Sequence, residues 1–433
     1  MEDSGGSGSG FTKFKQKLLR PFTRGRESET RSEYGGRPSA VRQECEPHSL
    51  RSDQIPRGSA RSSARRKGSA RRKGSARRSA RRRLSFRRKT SAAAGKEPSG
   101  GSARGATSFR EQHSASFSTV FAGMGGEEVT AWANRLQQIG ASGLKAEFWV
   151  VQRKNSLPAT AFKQNQNKNR YPDVVCLDTN RVKLRGAESG SDYIHANYVD
   201  SYHRSKRYIC TQGPKENTLE DFWRMVWDEG CVLVVMLTQF VEQSKDKCTR
   251  YFPEGEPGAN TLVCGEFEIV TAATNNIAIS ESESVPIRDM RVGYLGERRV
   301  IRHMQYATWP DRGVPSLCPP AISFLAHMHK NQIATAFMNR MDPAKSPIVV
   351  HCSAGIGRTG SLVALDICIE QLRKTQKVNV LEVVKRMRSQ RAYCVQTPEQ
   401  YLFVHQALLE WAVRNQYLPS FDMQHFLGGA KSN

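Results

Sequence analysis

The chain has 433 residues and no apolar run longer than a strand. A bilayer-spanning helix needs about 18–20 apolar residues, and the longest runs here are Val232–Leu237 and Ile348–Val350. The first six residues contain no apolar signal core. There is no Gly at position 2 for myristoylation and no Cys near the C-terminus for prenylation. These absences lead us to expect an intracellular soluble protein. No two cysteines stand in a C-x-x-C pair, so no metal site is expected. The ten cysteines are scattered, and Cys210, Cys264 and Cys368 sit inside apolar runs, where a reduced thiol behaves as a small buried hydrophobe. Acidic residues are also scarce, with 41 Asp and Glu against 66 Lys and Arg.

That charge is unevenly spread. Residues 1–120 hold 29 Lys and Arg and 10 Asp and Glu; the other 313 residues hold 37 and 31. A nucleic-acid-binding domain should carry its own basic face, and the near-balance after residue 120 argues against one. Residues 1–120 are rich in Ser, Gly and Arg, too poor in apolar side chains to offset ordering entropy, and are expected to be disordered. Gly-Ser-Ala-Arg recurs at 58, 68, 74 and 101, a low-complexity basic tract rather than a solenoid unit. In Phe11–Phe22 the spacing of Phe11, Phe14, Leu18 and Leu19 fits either a basic amphipathic helix on an anionic membrane or an unstructured tail.

From about residue 125 the texture is globular, and residues 125–415 are read as one domain, with 416–433 as a short tail. Periodicity predicts helices over Glu127–Gln138 (stopped by Gly140), Thr218–Glu229, Ala321–Asn339, Arg358–Thr375, Val380–Gln390 and Glu399–Asn415. It predicts strands over Val232–Leu237, Val300–Thr308 and Pro347–His351. The mixture implies an α/β (α+β) fold with a twisted mixed sheet flanked by helices.

The segment Ile348–Gly360 carries the strongest chemical signal. An apolar strand runs into His351-Cys352-Ser353-Ala354-Gly355-Ile356-Gly357-Arg358-Thr359-Gly360, a small-residue loop that opens a helix. Amides from Ser353 to Arg358 can line an anion nest at the positive end of that helix. The same field favours thiolate over thiol at Cys352. Arg358 supplies a planar fork for two phosphoryl oxygens. The layout suits phosphoryl transfer through a cysteinyl-phosphate.

Together with separated motifs, this loop resembles the tyrosine-specific, cysteine-dependent protein tyrosine phosphatases over about 125–415. Lys168–Val174 resembles the family's phosphotyrosine-recognition loop. Asp192–Asn197, Thr211–Pro214 with Thr218–Trp223, and Lys247–Pro253 resemble its core segments. Trp309–Pro315 resembles its mobile acid loop, and Val395–Tyr401 its glutamine loop. The resemblance implies hydrolysis of phosphotyrosine in proteins, without metal or cofactor. It implies Cys352 as nucleophile and the Ser353–Arg358 loop as the phosphate cradle. Asp311 would be general acid and then base, on a loop hinged at Trp309. Gln396 would orient water with help from Gln400. Thr359 would assist the sulfur as leaving group, and His351 would support the thiolate. Tyr171 would wall a deep pocket, and Asp173 would take hydrogen bonds from the substrate backbone. Glu242 is placed to pair with Arg358, and Lys247 to lie near the acid loop. A phosphotyrosine-binding protein that turns over weakly is the alternative.

Three positions depart from the family pattern. His195 replaces a usual Asn, and Phe252 a usual Trp. Tyr393 stands where some relatives carry Gly, which should narrow a secondary phosphotyrosine site. In the leader, Arg82-Arg83-Leu84-Ser85 resembles a basophilic kinase site. Residues 57–91 read as a contact with an anionic membrane, as a signal for a nuclear import factor, or as a solvated tail. No specific nucleic acid is expected. The location is accordingly cytoplasmic, with the cytoplasmic membrane face and the nucleus both open.

Overall fold

The computed structural model describes residues 124–151, 157–186 and 192–428. The leader at 1–120, the segment Phe11–Phe22, the basic tract 57–91 and Ser85 lie outside the described residues.

The described chain begins with β1 (Glu127–Glu128) and α1 (Val129–Val151), then α2 (Thr160–Gln164), β2 (Arg181–Lys183), β3 (Tyr193–Val199) and β4 (Tyr208–Thr211). Helix α3 (Leu219–Asp228) leads to β5 (Leu233–Met236) and a small hairpin, β6 (Val241–Glu242) with β7 (Lys245–Asp246). An antiparallel run follows: β8 (Thr261–Cys264), β9 (Phe267–Ala278), β10 (Ser284–Tyr294) and β11 (Glu297–Gln305). Then come α4 (Cys318–Met338), β12 (Ile348–His351), α5 (Arg358–Thr375), β13 (Lys377–Val378), α6 (Val380–Gln390), α7 (Pro398–Arg414) and α8 (Met423–Phe426).

Nine strands form one mixed sheet in the order β2-β3-β4-β12-β5-β11-β10-β9-β8. Its centre is parallel: β12 pairs with β4 and with β5, and β5 with β11. Strands covered on both faces must be apolar throughout. Leu233–Met236 and Ile348–Val350 meet that demand, and every one of those residues is buried. The long antiparallel arm β8–β10 is absent from the sequence reading. Its period-two signal is present in β9, where Phe267, Ile269 and Thr271 face inward and Glu268 outward. The alternation lapses in the exposed Thr274–Asn276 stretch.

Helix α1 differs from expectation in its length. Gly140 takes a left-handed φ of 61°, breaking the helix, but the chain resumes helical structure on its far side as far as Val151. The expected tail is also partly seated, because Leu418 and Phe426 are buried among the core residues. Helix α5 is enclosed from Arg358 to Ile369 without an exposed residue. That burial on all sides fixes where its first residue, Arg358, can point. Among the described residues no helix is long and apolar enough to cross a membrane.

Candidate active site

Strand β12 carries His351 at its C-terminal end in the middle of the sheet, and Cys352 follows as the floor of a cleft of about 450 Å³. The loop closes tightly because Gly355 adopts φ 70°, where a Cβ would fall 2.0 Å from the Thr211 carbonyl oxygen. Gly357 and Gly360 serve by close approach. A Cβ on Gly357 would lie 3.0 Å from Gln400 Nε2, and one on Gly360 2.5 Å from the Val395 amide nitrogen.

Arg391 decides which way the loop's peptides face. It is fully buried, and donates to the Gly355 carbonyl at 3.1 Å and to the Ala354 carbonyl at 3.0 Å. With these carbonyls held behind, the amides of Ser353, Ala354, Ile356 and Gly357 find no acceptor among the described residues. Four free amides on a helix-opening loop are a site for an anion. Sequence reading missed Arg391, since one chain does not distinguish a buried arginine from the exposed ones around it.

Gly355 N–H donates to Cys352 Sγ at 3.2 Å. Burial alone would raise the thiol's pKa, but the Arg358 guanidinium, Thr359 and the Gly355 amide outweigh it and hold the group below its ordinary value. Thr359 Oγ1 is buried without a well-aligned hydrogen-bond partner, next to the sulfur it favours.

Arg358 is buried and clamped. Its two terminal nitrogens donate to the two Glu242 oxygens at 2.6 and 3.0 Å, as the sequence led us to expect. They also reach the Trp309 carbonyl and Asp311 Oδ1, each at 3.1 Å. Lys247 Nζ donates to the other Asp311 oxygen at 2.6 Å. Burial would lift the Asp311 pKa, but Lys247, Arg358 and Arg312 keep it below the usual carboxylate value. Trp309 is buried against Tyr306 and Phe403, with its indole N–H on the Gly313 carbonyl at 3.2 Å. The Trp309–Pro315 loop therefore sits over the cleft.

The cleft wall comes from residues 168–174. Arg170 pins this segment by donating to the Gly213 and Pro214 carbonyls at 2.9 and 2.6 Å. The Ser353 hydroxyl donates to the Lys247 carbonyl at 2.9 Å. Its single proton is thus committed, so the Tyr171 hydroxyl, 2.8 Å away, is the donor to Ser353 Oγ. Asp173 is exposed and lines the same cleft. His195 is buried with both ring nitrogens engaged. Its Nδ1 accepts from Arg391 at 3.1 Å and its Nε2 donates to the Val174 carbonyl at 2.7 Å, coupling the wall to the loop.

Gln396 and Gln400 close the opposite side. Thr397 caps α7 by accepting from the Gln400 amide, and Gln400 Oε1 accepts from the Gln396 amide at 2.8 Å. His351 faces away from the cleft, its Nδ1 3.0 Å from the Cys352 carbonyl oxygen. Tyr393 lines an adjoining cleft of about 320 Å³ with Arg388 and Asp173. Cys352, Ser353, Ala354, Gly357, Arg358, Tyr171, Asp173, Asp311, Gln396 and Gln400 thus line one cleft, while Gly355 and Ile356 lie in its loop, Thr359 on the first turn of α5 and His351 behind.

A family model described as protein-tyrosine phosphatase matches residues 165–410. The chain is 38% identical over 304 residues to the mouse (Mus musculus) tyrosine-protein phosphatase non-receptor type 9, covering 68% of this chain and 50% of that protein. It is 38% identical over 289 residues to the Caenorhabditis elegans Lar-like tyrosine-protein phosphatase, covering 65% of this chain and 12% of that one. The Homo sapiens receptor-type tyrosine-protein phosphatase F is 40% identical over 252 residues, with 57% and 12% covered. The chain therefore spans half or less of the length of these relatives.

Proposed function

The chain belongs to the protein-tyrosine phosphatase family, and from that premise we propose that it is a non-receptor enzyme hydrolysing phosphotyrosine in proteins. Cys352 attacks phosphorus in line. The loop amides and Arg358 hold the equatorial oxygens, where transition-state charge collects. Asp311 gives its proton to the tyrosyl oxygen and later takes one from water. Gln396 orients that water, with Gln400 holding Gln396, and Thr359 steadies the departing sulfur. His351 supports the thiolate from behind. The bound phosphate would replace Asp311 on Arg358, freeing the carboxyl to take up a proton.

One observation carries this reading. A thiol held below its ordinary pKa, four amides without acceptors and a carboxyl on the same arginine all converge on one cleft. The Tyr171 wall makes the cleft deep, which suits a phosphorylated tyrosine over a phosphorylated serine. The presence of both nucleophile and acid supports turnover over binding alone. Hydrolysis of p-nitrophenyl phosphate that vanishes in Cys352→Ser tests it; equal rates in the two proteins would sink it. Asp311→Ala should slow turnover while retaining phosphotyrosine peptides, and pull-down with it would name the substrate.

Tyr393 narrows the adjoining cleft, so singly phosphorylated sites are preferred over tandem ones. Tyr393→Gly should raise the relative rate on tandem peptides. For residues 57–91 two partners stay in competition, an anionic cytoplasmic-face membrane regulated by phosphorylation at Ser85 and a nuclear import factor. Liposome sedimentation that depends on anionic lipid and weakens in Ser85→Asp would favour the first.

A further inference from the structure

Behind Cys352 runs a row of polar groups that starts at His351 and continues through residues the proposed chemistry does not use. His351 Nε2 is 2.7 Å from the Tyr251 hydroxyl, and that hydroxyl is 2.8 Å from His303 Nε2. His303 Nδ1 lies 3.4 Å from Arg288 Nη1, which also donates to Gln305. His351, Tyr251 and His303 are fully buried, while Arg288 is only partly so. Phe252, in place of the family's usual Trp, packs its ring 4.6 Å from the His303 ring and 4.9 Å from the Arg288 guanidinium.

Only one order of protons fits this row. The Cys352 carbonyl can only accept, so His351 carries its proton on Nδ1. Its Nε2 then accepts, and Tyr251 is the donor. Tyr251 has one proton, so its oxygen must accept from His303 Nε2–H. His303 Nδ1 is left as an acceptor, and it faces Arg288, which can only donate. The reverse order would set a lone pair against a carbonyl oxygen at one end and an N–H against a guanidinium at the other. Both histidines stay neutral, since burial pushes His351 down to about 4 and His303 well below its ordinary value.

We propose that Arg288 and His303 are positioning residues for the nucleophile loop. Arg288 sets the tautomer of His303, and through Tyr251 that of His351. His351 then holds the Cys352 carbonyl behind the loop, away from the sulfur and from the anion site. Bonds in such a row polarise one another. The peptide that joins Cys352 to Ser353 is drawn toward the row at its carbonyl, which makes its N–H a stronger donor. Its effect on turnover rests on the phosphatase reading; its effect on the sulfur does not.

The test uses the full chain and the pH dependence of Cys352 alkylation by iodoacetate, alongside kcat/KM for p-nitrophenyl phosphate. Cys352→Ser supplies the background. The chain holds nine other cysteines, Cys45 in the leader among them, so the phase assigned to Cys352 is the one that the Cys352→Ser protein lacks. In His303→Leu and Arg288→Met the alkylation inflection should rise by about one pH unit, with about tenfold slower reaction below it, because rate follows the thiolate fraction. In His303→Gln the amide nitrogen can donate where Nε2–H does, and the inflection should stay near that of the wild type. Arg358, Asp311, Lys247, Glu242, Arg170 and Arg391, the charged groups around the sulfur and its loop, are untouched in all three. An unmoved inflection in folded Arg288→Met overturns the proposal, as does a His303→Gln protein that behaves like His303→Leu. Should His303→Leu fail to fold, Arg288→Met decides alone, since its altered end is partly exposed. A wild type that alkylates at Cys352 but never turns over phosphate would sink the phosphatase reading and leave this test standing.

Discussion

Lys247 Nζ stands 2.6 Å from Asp311 Oδ2 and so stabilises as an anion the group proposed to donate a proton. The contact has two consequences of opposite sign. It holds the acid loop over the cleft, and it lowers the pH above which Asp311 loses its proton.

Replacement of Lys247 by Ala separates the two. Asp311 must be protonated to act as an acid, and Lys247 is among the groups that keep its pKa low. In Lys247→Ala the basic limb of the kcat/KM profile should move up by about half to one pH unit. The maximum should fall as the loop loses an anchor. A limb that stays still or moves down would show that Lys247 does not act on Asp311 in the working enzyme.

Gly355→Ala should be close to intolerable. The new methyl needs a left-handed φ and would sit 2.0 Å from a backbone oxygen of β4. Strand β4 is hydrogen-bonded to β12 and cannot yield cheaply. A stability loss of about 3 kcal/mol or more is expected by thermal unfolding. Turnover should fall at least about a hundredfold in whatever remains folded, since a 1 Å misplacement is worth that much. Near-normal activity would mean that the loop has another conformation available.

Arg391→Met tests the bracing of the loop from behind. It leaves the Gly355 and Ala354 carbonyls, Asn197 Oδ1 and His195 Nδ1 without their shared donor. Unsatisfied buried acceptors at this density should cost about 3–5 kcal/mol. Freed peptides should also weaken competitive inhibition by inorganic phosphate about tenfold, or 1.4 kcal/mol. Loss of stability with unchanged phosphate affinity would make Arg391 a packing residue only.

Asp366 offers a separate test away from the cleft. It is buried on α5, where His329 Nε2 donates to it at 2.8 Å and Tyr208 donates to its other oxygen. Burial would raise its pKa, but His329, Tyr208 and Arg207 outweigh that and keep it low. A depressed carboxyl adds stability above its unfolded pKa of about 4, and the gain is lost as pH falls toward the folded value. Asp366→Asn should cost about 3 kcal/mol at pH 7, and the gap to wild type should narrow below about pH 4. A gap independent of pH would show that the charge is not what matters.

Much of the site is legible in the sequence alone. The strand, small-residue loop and helix around Cys352 are contiguous, so their chemistry can be read from spacing. Arg358–Thr375 and Val380–Gln390 match the observed helices end to end, the second starting where Asn379 caps it by accepting from the Glu382 amide. The β8–β10 arm was lost because Thr274–Asn276 interrupts its alternation. Helix α1 was cut short because a glycine with positive φ usually ends a helix, and here the chain turns through it and continues.

What the sequence determined alone is the local chemistry: a cysteine and an arginine six residues apart on one loop, and an acid on another. Only the tertiary structure decided the orientation of that loop. Arg391, His195, Tyr251, His303 and Arg288 come from distant segments, and they act through hydrogen bonds whose direction depends on where each partner's proton sits. A hydrogen bond between residues such as 351 and 251 leaves no period or spacing in the chain. It exists only once folding has brought both groups out of water, where a polar atom without a partner is too costly to leave unmatched.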